Sequence, residues 1–391
     1  MNVLDELSPR SRATPPAVRF TLPPNSEATA PAERRGLARD GVRLLVARPD
    51  VVTHMRFHDL AAELEAGDVL VVNTSATLPA AVDARRRGRP LSSLHVSTEL
   101  DDGSWVVEVR APDNSGPATD VRAGEVLEAT GGVRLRVDAS YPRAGVDGAR
   151  LWRVTPGVAT GSRRYLADHG RPIRYGYLSA AWPLGDLQNV YADEPGSAEM
   201  PSAGRPLTSQ LLVRLMARGV VVAPVLLHAG VSSPEKHEPP LPERYSVPAS
   251  TADVVNLARS RGHRVVAVGT TVTRALETVA DTEGQVHAGS GWTDLVLGPD
   301  RPARVVSGLV SGLHEPEASH LLLLQAVAGP GLVRRAYDEA VNERYLWHEF
   351  GDSMLFLPGV SAETLPSGGG SRRMPEVTRT SALPRRQGRL T

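Results

Sequence analysis

The sequence predicts an α/β protein in which an α/β main domain is interrupted by an inserted small β-barrel-like domain. Three observations predict it. Strand-length apolar runs alternate with helix-spaced apolar residues early in the chain and again after residue 200. Between them, from roughly 76 to 157, the texture changes to short alternating runs separated by Gly, Asp and Pro. The length, 391 residues, suits two domains at ~150 residues each, with tails.

In chain order, residues 1–36 are rich in Pro, Ala, Ser and Arg and read as a flexible tail, with Phe20–Pro24 as a short ordered stretch. The main domain is expected over 37–75 and 158–360. Val42–Ala47 reads as a strand, and Phe57, Leu60, Ala61 and Leu64 recur at helical spacing until Gly67. Val69–Val72 is a buried strand ending at Asn73. The β insert, 76–157, holds the runs Trp105–Val109, Val133–Val137 and Leu151–Val154. Thr208 fits the N-cap of a helix carrying Leu211, Leu212, Leu215 and Met216, stopped by Gly219. The strand Val220–Leu227 follows, then a helix from Thr251 to Gly262. The strand Arg264–Val268 runs through Gly269-Thr270-Thr271 into a helix reaching Ala280. Pro316 fits the first position of a helix through Ala328, and Leu332–Tyr345 is a further helix. Residues 361–391, with Gly368-Gly369-Gly370 and six arginines against two glutamates, read as a disordered Arg-rich tail: either a solvated end or a loose RNA-contacting arm.

Composition removes several chemistries. Without cysteine there is no disulfide scaffold, Cys-ligated zinc, iron–sulfur cluster or thiol nucleophile. Lys236 is the only lysine, which nearly excludes Schiff-base and P-loop chemistry. Acidic and basic residues balance at 44 each, so no general field draws the chain to nucleic acid, although a local patch remains open. No run approaches the ~20 apolar residues of a membrane span, and the N-terminus lacks a secretory pattern. A cytoplasmic protein without a membrane partner is expected. His54 and His58 stand four apart, but no HExxH pattern forms, so no metal is expected.

Five local features could carry chemistry. Arg264–Glu277 places a buried strand, a tight turn with two hydroxyls and a helix in succession. Such a helix start favours an anion or polar ligand, and Arg274 and Glu277 share one helix face. The same features also describe a capped turn with a surface ion pair. His314 ends the strand-like run from Ser307, just before a helix, where an acid or base and a structural His are both reasonable. Pro201-Ser202-Ala203-Gly204 is a small-residue loop, His228 lies at a strand end, and Gly351-Asp352 is a turn.

Read in order, these pieces resemble the S-adenosylmethionine:tRNA ribosyltransferase-isomerase family of queuosine biosynthesis over about residues 40–357. The segments that carry the resemblance are Gly67-Asp-Val-Leu-Val-Val-Asn73, Val190-Tyr-Ala192 with Pro201-Ser-Ala-Gly204, Leu227-His228-Ala-Gly230, Ala267-Val-Gly-Thr-Thr271 with Arg274 and Glu277, Gly312-Leu-His314-Glu-Pro316, and Phe350-Gly351-Asp352-Ser-Met354. The resemblance implies an α/β domain interrupted by a barrel-like one, with S-adenosylmethionine bound in the α/β part. It implies transfer and isomerisation of the ribosyl group onto a 7-aminomethyl-7-deazaguanine at the tRNA wobble position, giving epoxyqueuosine, with adenine and methionine leaving. No cofactor beyond S-adenosylmethionine as substrate, and no metal, is implied. It further implies His314, Arg274 and Asp352 as catalytic residues. Asn73, Ser202, Ala203, Gly204, His228, Gly269, Thr270, Thr271, Glu277 and Gly351 would bind substrate.

The chain departs from the family pattern at several positions. Ser75 and Ala76 replace an Asp and an Arg/Lys, and Arg205-Pro206-Leu207 replaces Leu-His-Phe. A segment with two histidines becomes Glu238–Glu243, in which Glu243 keeps the family's Glu. Glu315 and Glu317 replace Leu and Lys. These exchanges remove cations and donors, so a divergent paralogue with a different, non-tRNA acceptor, or a non-catalytic binding relative, stands as the alternative. Partners are therefore S-adenosylmethionine and, on the main reading, tRNA; the sequence sets no oligomeric state.

Overall fold

The computed structural model describes residues 18–157, 161–231 and 240–359. The Arg-rich tail expected over 361–391 and Lys236 lie outside the described residues. Strands β1 (Arg43–Ala47) and β2 (Val52–Arg56) form a hairpin; the short helix α1 (Leu60–Glu63) leads into β3 (Val69–Asn73) and β4 (Ser75–Thr77). Six strands follow: β5 (Ala81–Arg86), β6 (Leu91–Glu99), β7 (Trp105–Val109), β8 (Val126–Ala129), β9 (Val133–Tyr141) and β10 (Leu151–Pro156). The chain then passes through α2 (Ser162–His169), β11 (Glu194–Ser197), α3 (Ser209–Ala217), β12 (Val221–Leu227), β13 (Glu243–Val247), α4 (Ala249–Ser260) and β14 (Val265–Val268). It ends with α5 (Thr270–Thr278), β15 (Gly289–Thr293), β16 (Gly308–Gly312), α6 (His320–Ala328), α7 (Pro330–Asn342) and β17 (Ser353–Phe356).

Strands β5 to β10 close into an antiparallel barrel in the order β10-β7-β6-β5-β8-β9, which is the insertion the sequence predicts. Its interior is aliphatic apart from Trp105 and Trp152, with Val82, Leu94, Val107, Leu127, Leu135 and Val154 filling it. The remaining long strands form one nine-stranded sheet, β15-β13-β12-β3-β14-β16-β17-β1-β2. Its centre, β12-β3-β14-β16, is parallel. Period-two alternation splits these strands between two cores. Val69, Val71, Val265, Ala267 and Leu309 face α4 to α7, whereas Leu70, Val72, Val266, Val268 and Val310 face α1 and α3. Both faces are covered, as a parallel sheet requires.

The structure differs from the sequence reading in three places. Residues 18–36 are not a tail: Val18, Ala28 and Ala32 are buried, the Ala28 N–H donates to Trp347 O, and the Trp347 N–H donates to Ser26 O. Pro/Ala-rich composition hid this, because packing onto a neighbour needs only a few apolar side chains. The helix expected from Pro316 starts at His320, since Glu317 adopts a left-handed φ of 66° that a right-handed helix cannot contain. The helix expected from Thr251 starts at Ala249, and the Thr251 hydroxyl instead donates to Pro224 O (2.6 Å). By contrast Thr208 does cap α3, accepting from Leu211 N at 3.1 Å. No helix of the described residues is long and apolar enough to cross a membrane.

Candidate functional site

Parallel pairing decides where the site lies. Strands β12, β3, β14 and β16 run the same way, so their carboxyl ends share one sheet edge. The residues just past or at those ends are His228, Asn73, Gly269 and, two beyond β16, His314. β17 is antiparallel to β16 and pairs Ser353 with Gly312, so Gly351 and Asp352 enter at the same edge. Ligands of open α/β sheets collect at this edge. Six candidate positions separated widely in sequence are therefore gathered by topology alone.

Asn73 ties two strand ends together. Its Oδ1 accepts from Ser75 N (3.1 Å) and Leu227 N (3.0 Å), and its Nδ2 donates to Leu227 O (2.8 Å) and to Thr271 Oγ1 (3.3 Å). Thr271 belongs to the first turn of α5. Gly269, immediately before that helix, has φ 95°, a conformation glycine adopts freely, and it lets Ala203 pack close to the turn. The Ser202–Gly204 loop is thereby set beside Thr270 and Thr271. Gly204 itself has no room for a side chain, because a Cβ there would coincide with the Tyr191 hydroxyl.

A second group surrounds His228, which is 5% exposed. Arg163 Nη2 on α2 lies 3.1 Å from His228 Nε2, and Ser75 Oγ lies 2.8 Å from Nδ1. Ser75 continues to Ser197 Oγ at 2.7 Å, which accepts from Ala229 N. Arg163 is a donor only, so Nε2 must accept and Nδ1 carries the proton toward Ser75. Burial first, then the Arg163 charge, lowers the imidazole to about 4, and it is neutral at pH 7. Glu194 lies 3.7 Å from Nε2. The barrel sets this arrangement: Glu99 of β6 accepts from Ser162 N and Oγ, both at 2.7 Å, fixing the start of α2 and with it Arg163.

Arg274 and Glu277, on one face of α5, point inward and do not pair with each other. Arg274 forms an ion pair with Glu243 and donates to the carbonyls of Leu295, Thr293 and Leu241 at 3.1 Å each. Glu243 also accepts from Gly230 N (3.1 Å), and burial raises its carboxyl against the opposing pull of Arg274. Glu277 accepts three backbone N–H groups, from Arg304, Val305 and Val306 at 2.8–3.0 Å. The ion pair expected at the surface is thus two separate buried clips. Asp352 is similar, accepting from Arg43 N (2.7 Å) and Leu346 N (2.9 Å).

His314 is anchored through its backbone: its N–H donates to Tyr337 Oη (3.1 Å), and its carbonyl accepts from Trp347 Nε1 (3.1 Å). Its ring meets Ser311 Oγ at 3.0 Å and stacks on His320, with centroids 4.5 Å apart and planes 5° from parallel. Burial, then His320 and His348, holds the His314 imidazole well below the usual His range. His348 in turn stacks on Tyr177 at 4.1 Å, and Tyr177 bonds Glu349. Sequence reading did not single out Arg163, Ser197 or His320. The sequence signal for His320 is only a second histidine six residues after His314.

The chain matches the model of a family described as queuosine biosynthesis protein, over residues 17–356. It is 37% identical over 349 residues to the S-adenosylmethionine:tRNA ribosyltransferase-isomerase of Moorella thermoacetica, covering 86% of this chain and 98% of that protein. The protein of the same description from Thermotoga maritima is 34% identical over 346 residues, again covering 86% and 98%. A solved structure of an S-adenosylmethionine tRNA ribosyltransferase from Thermotoga maritima is 29% identical, covers 87% of this chain and 99% of that one, and has a TM-score of 0.47.

Proposed function

We propose, on the premise that this chain belongs to the queuosine biosynthesis protein family, that it is an S-adenosylmethionine:tRNA ribosyltransferase-isomerase. The substrate would be S-adenosylmethionine, and the acceptor the 7-aminomethyl-7-deazaguanine of a tRNA anticodon. The product is epoxyqueuosine, with adenine and methionine released, and the enzyme would act where tRNA is found, in the cytoplasm. The observation that supports this reading best is the single sheet edge that unites Asn73, His228, Gly269, Thr271 and His314 in a chain that covers 98% of such an enzyme.

Roles follow from the geometry. The first turn of α5, with the Thr270 and Thr271 hydroxyls, would hold the carboxylate of the methionyl group, because free N–H groups at a helix start attract anions. Asn73 fixes that turn to β3 and β12. The neutral imidazole of His314 can accept a proton from the carbon beside the sulfonium, where positive charge acidifies it. The Nδ1–H of His228, backed by Arg163, orders the Ser75 and Ser197 hydroxyls. Such preset donors can steady a departing base without reorganising. Arg274, Glu277 and Asp352 act one step back, holding the backbone that carries these groups.

A second reading, transfer from S-adenosylmethionine to an acceptor other than tRNA, is favoured by one feature. Carboxylates rather than cations flank the His314 end: Glu315 lies 3.5 Å and Glu27 3.6 Å from His348 Nε2. One experiment separates the two. The protein is incubated with S-adenosylmethionine, with and without tRNA carrying the precursor base, and adenine is measured. Release only with tRNA supports the first reading; equal release without tRNA supports the second; no release in either arm refutes both.

A further inference from the structure

Away from the strand edge, the barrel wall carries a cavity of about 440 Å³. One side is formed by β5 and β6, through Asp83, Ser93 and His95; the facing side is the 171–187 segment, through Arg171, Arg174 and Trp182. The walls are otherwise largely apolar, with Ile173, Leu178 and Leu187. Within this lining the indole N–H of Trp182 has no hydrogen-bond partner among the described residues, which native folds rarely allow, and His95 is 2% exposed. The His95 Nδ1 faces the Glu108 carboxylate at 3.9 Å, so a proton is best placed there, leaving Nε2 as the acceptor of the ring. Arg171 and Arg174 stand exposed at the rim. Arg171 is shared with Asp83, whereas the Arg174 guanidinium donates to the Leu178 carbonyl and has no carboxylate partner among the described residues.

We infer that this cavity receives one nucleotide of single-stranded RNA, with its base against Trp182 and its edge read by His95, and its phosphate at Arg174 and Arg171. An apolar slot with an aromatic wall, a few polar groups and cations only at the mouth suits a splayed-out base better than a duplex or a free anion. The inference rests on the tRNA reading above and extends it to a place outside the sheet edge. The two places are mechanically joined. Leu187 lines the cavity, its carbonyl accepts from Thr77 Oγ1 (2.8 Å), and Gln188 pairs with the Thr77 backbone in both directions (2.9 and 2.8 Å). Two residues before Thr77 is Ser75, which touches His228. From Ser75 to Ala81, on the cavity wall, six residues span at most about 20 Å. A nucleotide held in the cavity is then a short stretch of strand away from the reacting one.

The test uses the full chain and a fluorescein-labelled anticodon stem-loop RNA, with affinity read by anisotropy at fixed salt. Arg174→Glu and Trp182→Ala should each weaken binding by at least about tenfold, the range of one lost stacking or phosphate contact. In turnover, the KM for tRNA should rise while the KM for S-adenosylmethionine holds. Arg174 is exposed, so its variant folds, and a thermal melt confirms it. If wild-type protein releases adenine with tRNA but both variants keep wild-type RNA affinity, the cavity assignment is wrong and the tRNA reading stands. If wild-type protein neither binds the RNA nor releases adenine, both fall. Equal competition by a free mononucleotide would make this a nucleotide site unrelated to RNA and overturn the inference.

Discussion

Ser75 Oγ lies 2.8 Å from His228 Nδ1, and the two residues are 153 apart in the chain. Ser75 thereby joins the end of β3 to the residue that follows β12. Ser75→Ala should lower kcat for adenine release by about tenfold, the size of one lost hydrogen bond to an ordered group. Ser75→Thr, which keeps the hydroxyl, should retain more activity than Ser75→Ala. Equal losses in both would assign the position to packing.

Arg274 and Glu243 form a buried ion pair whose members also hold four backbone groups. Removing one partner leaves an uncompensated charge, so Arg274→Met should destabilise the protein by about 3–5 kcal/mol, measured by urea unfolding. The double variant Arg274→Met/Glu243→Met should recover part of this. If instead Arg274→Met abolishes turnover with the unfolding midpoint unchanged, Arg274 acts on the substrate directly.

The fold should lose stability in mild acid through His95. An unfolded His titrates near 6.5, whereas burial, then Arg110 and Arg171, lowers His95 to about 3. The unfolded chain therefore takes up the proton first. The contribution is fully present above about 6.5 and drains as pH falls toward 3, by up to about 1.4 kcal/mol per pH unit. Denaturant midpoints at pH 7.5, 6 and 5 should fall in that order for wild type. They should fall less steeply for His95→Gln.

Gly204→Ala should cost both stability, about 1–3 kcal/mol, and activity, because the new methyl coincides with the Tyr191 hydroxyl beside the Ser202–Gly204 loop. Tyr191→Phe in the same chain should restore part of each, which thermal melts and adenine release would show.

Much of this was legible in the sequence where a site residue follows a strand. Asn73, His228 and Gly269 each end an apolar run, and parallel pairing of those runs brings them together without further information. What was not legible depends on partners distant in the chain. The spacing of Arg274 and Glu277 says that they share a face; only the packing of α5 says that this face is turned inward. Arg163 reaches His228 because Glu99, in the barrel, fixes the start of α2. The start of α6 at His320 depends on one left-handed residue, Glu317, that no periodicity encodes. The packing of Val18 and Ala28 was hidden by a composition shared with disordered segments.

The position of β3 has a consequence for how the chain is made. Both sheet neighbours of β3, β12 and β14, leave the ribosome after the whole barrel has been synthesised. Local hairpins let the barrel close early, while β3 waits with unpaired edges for strands about 150 and about 200 residues downstream. Asn73 cannot meet Leu227 or Thr271 before then. The strand edge that gathers the candidate residues is thus among the last features to form during biogenesis, and a truncated chain that ends before β14 would carry all six barrel strands without that edge.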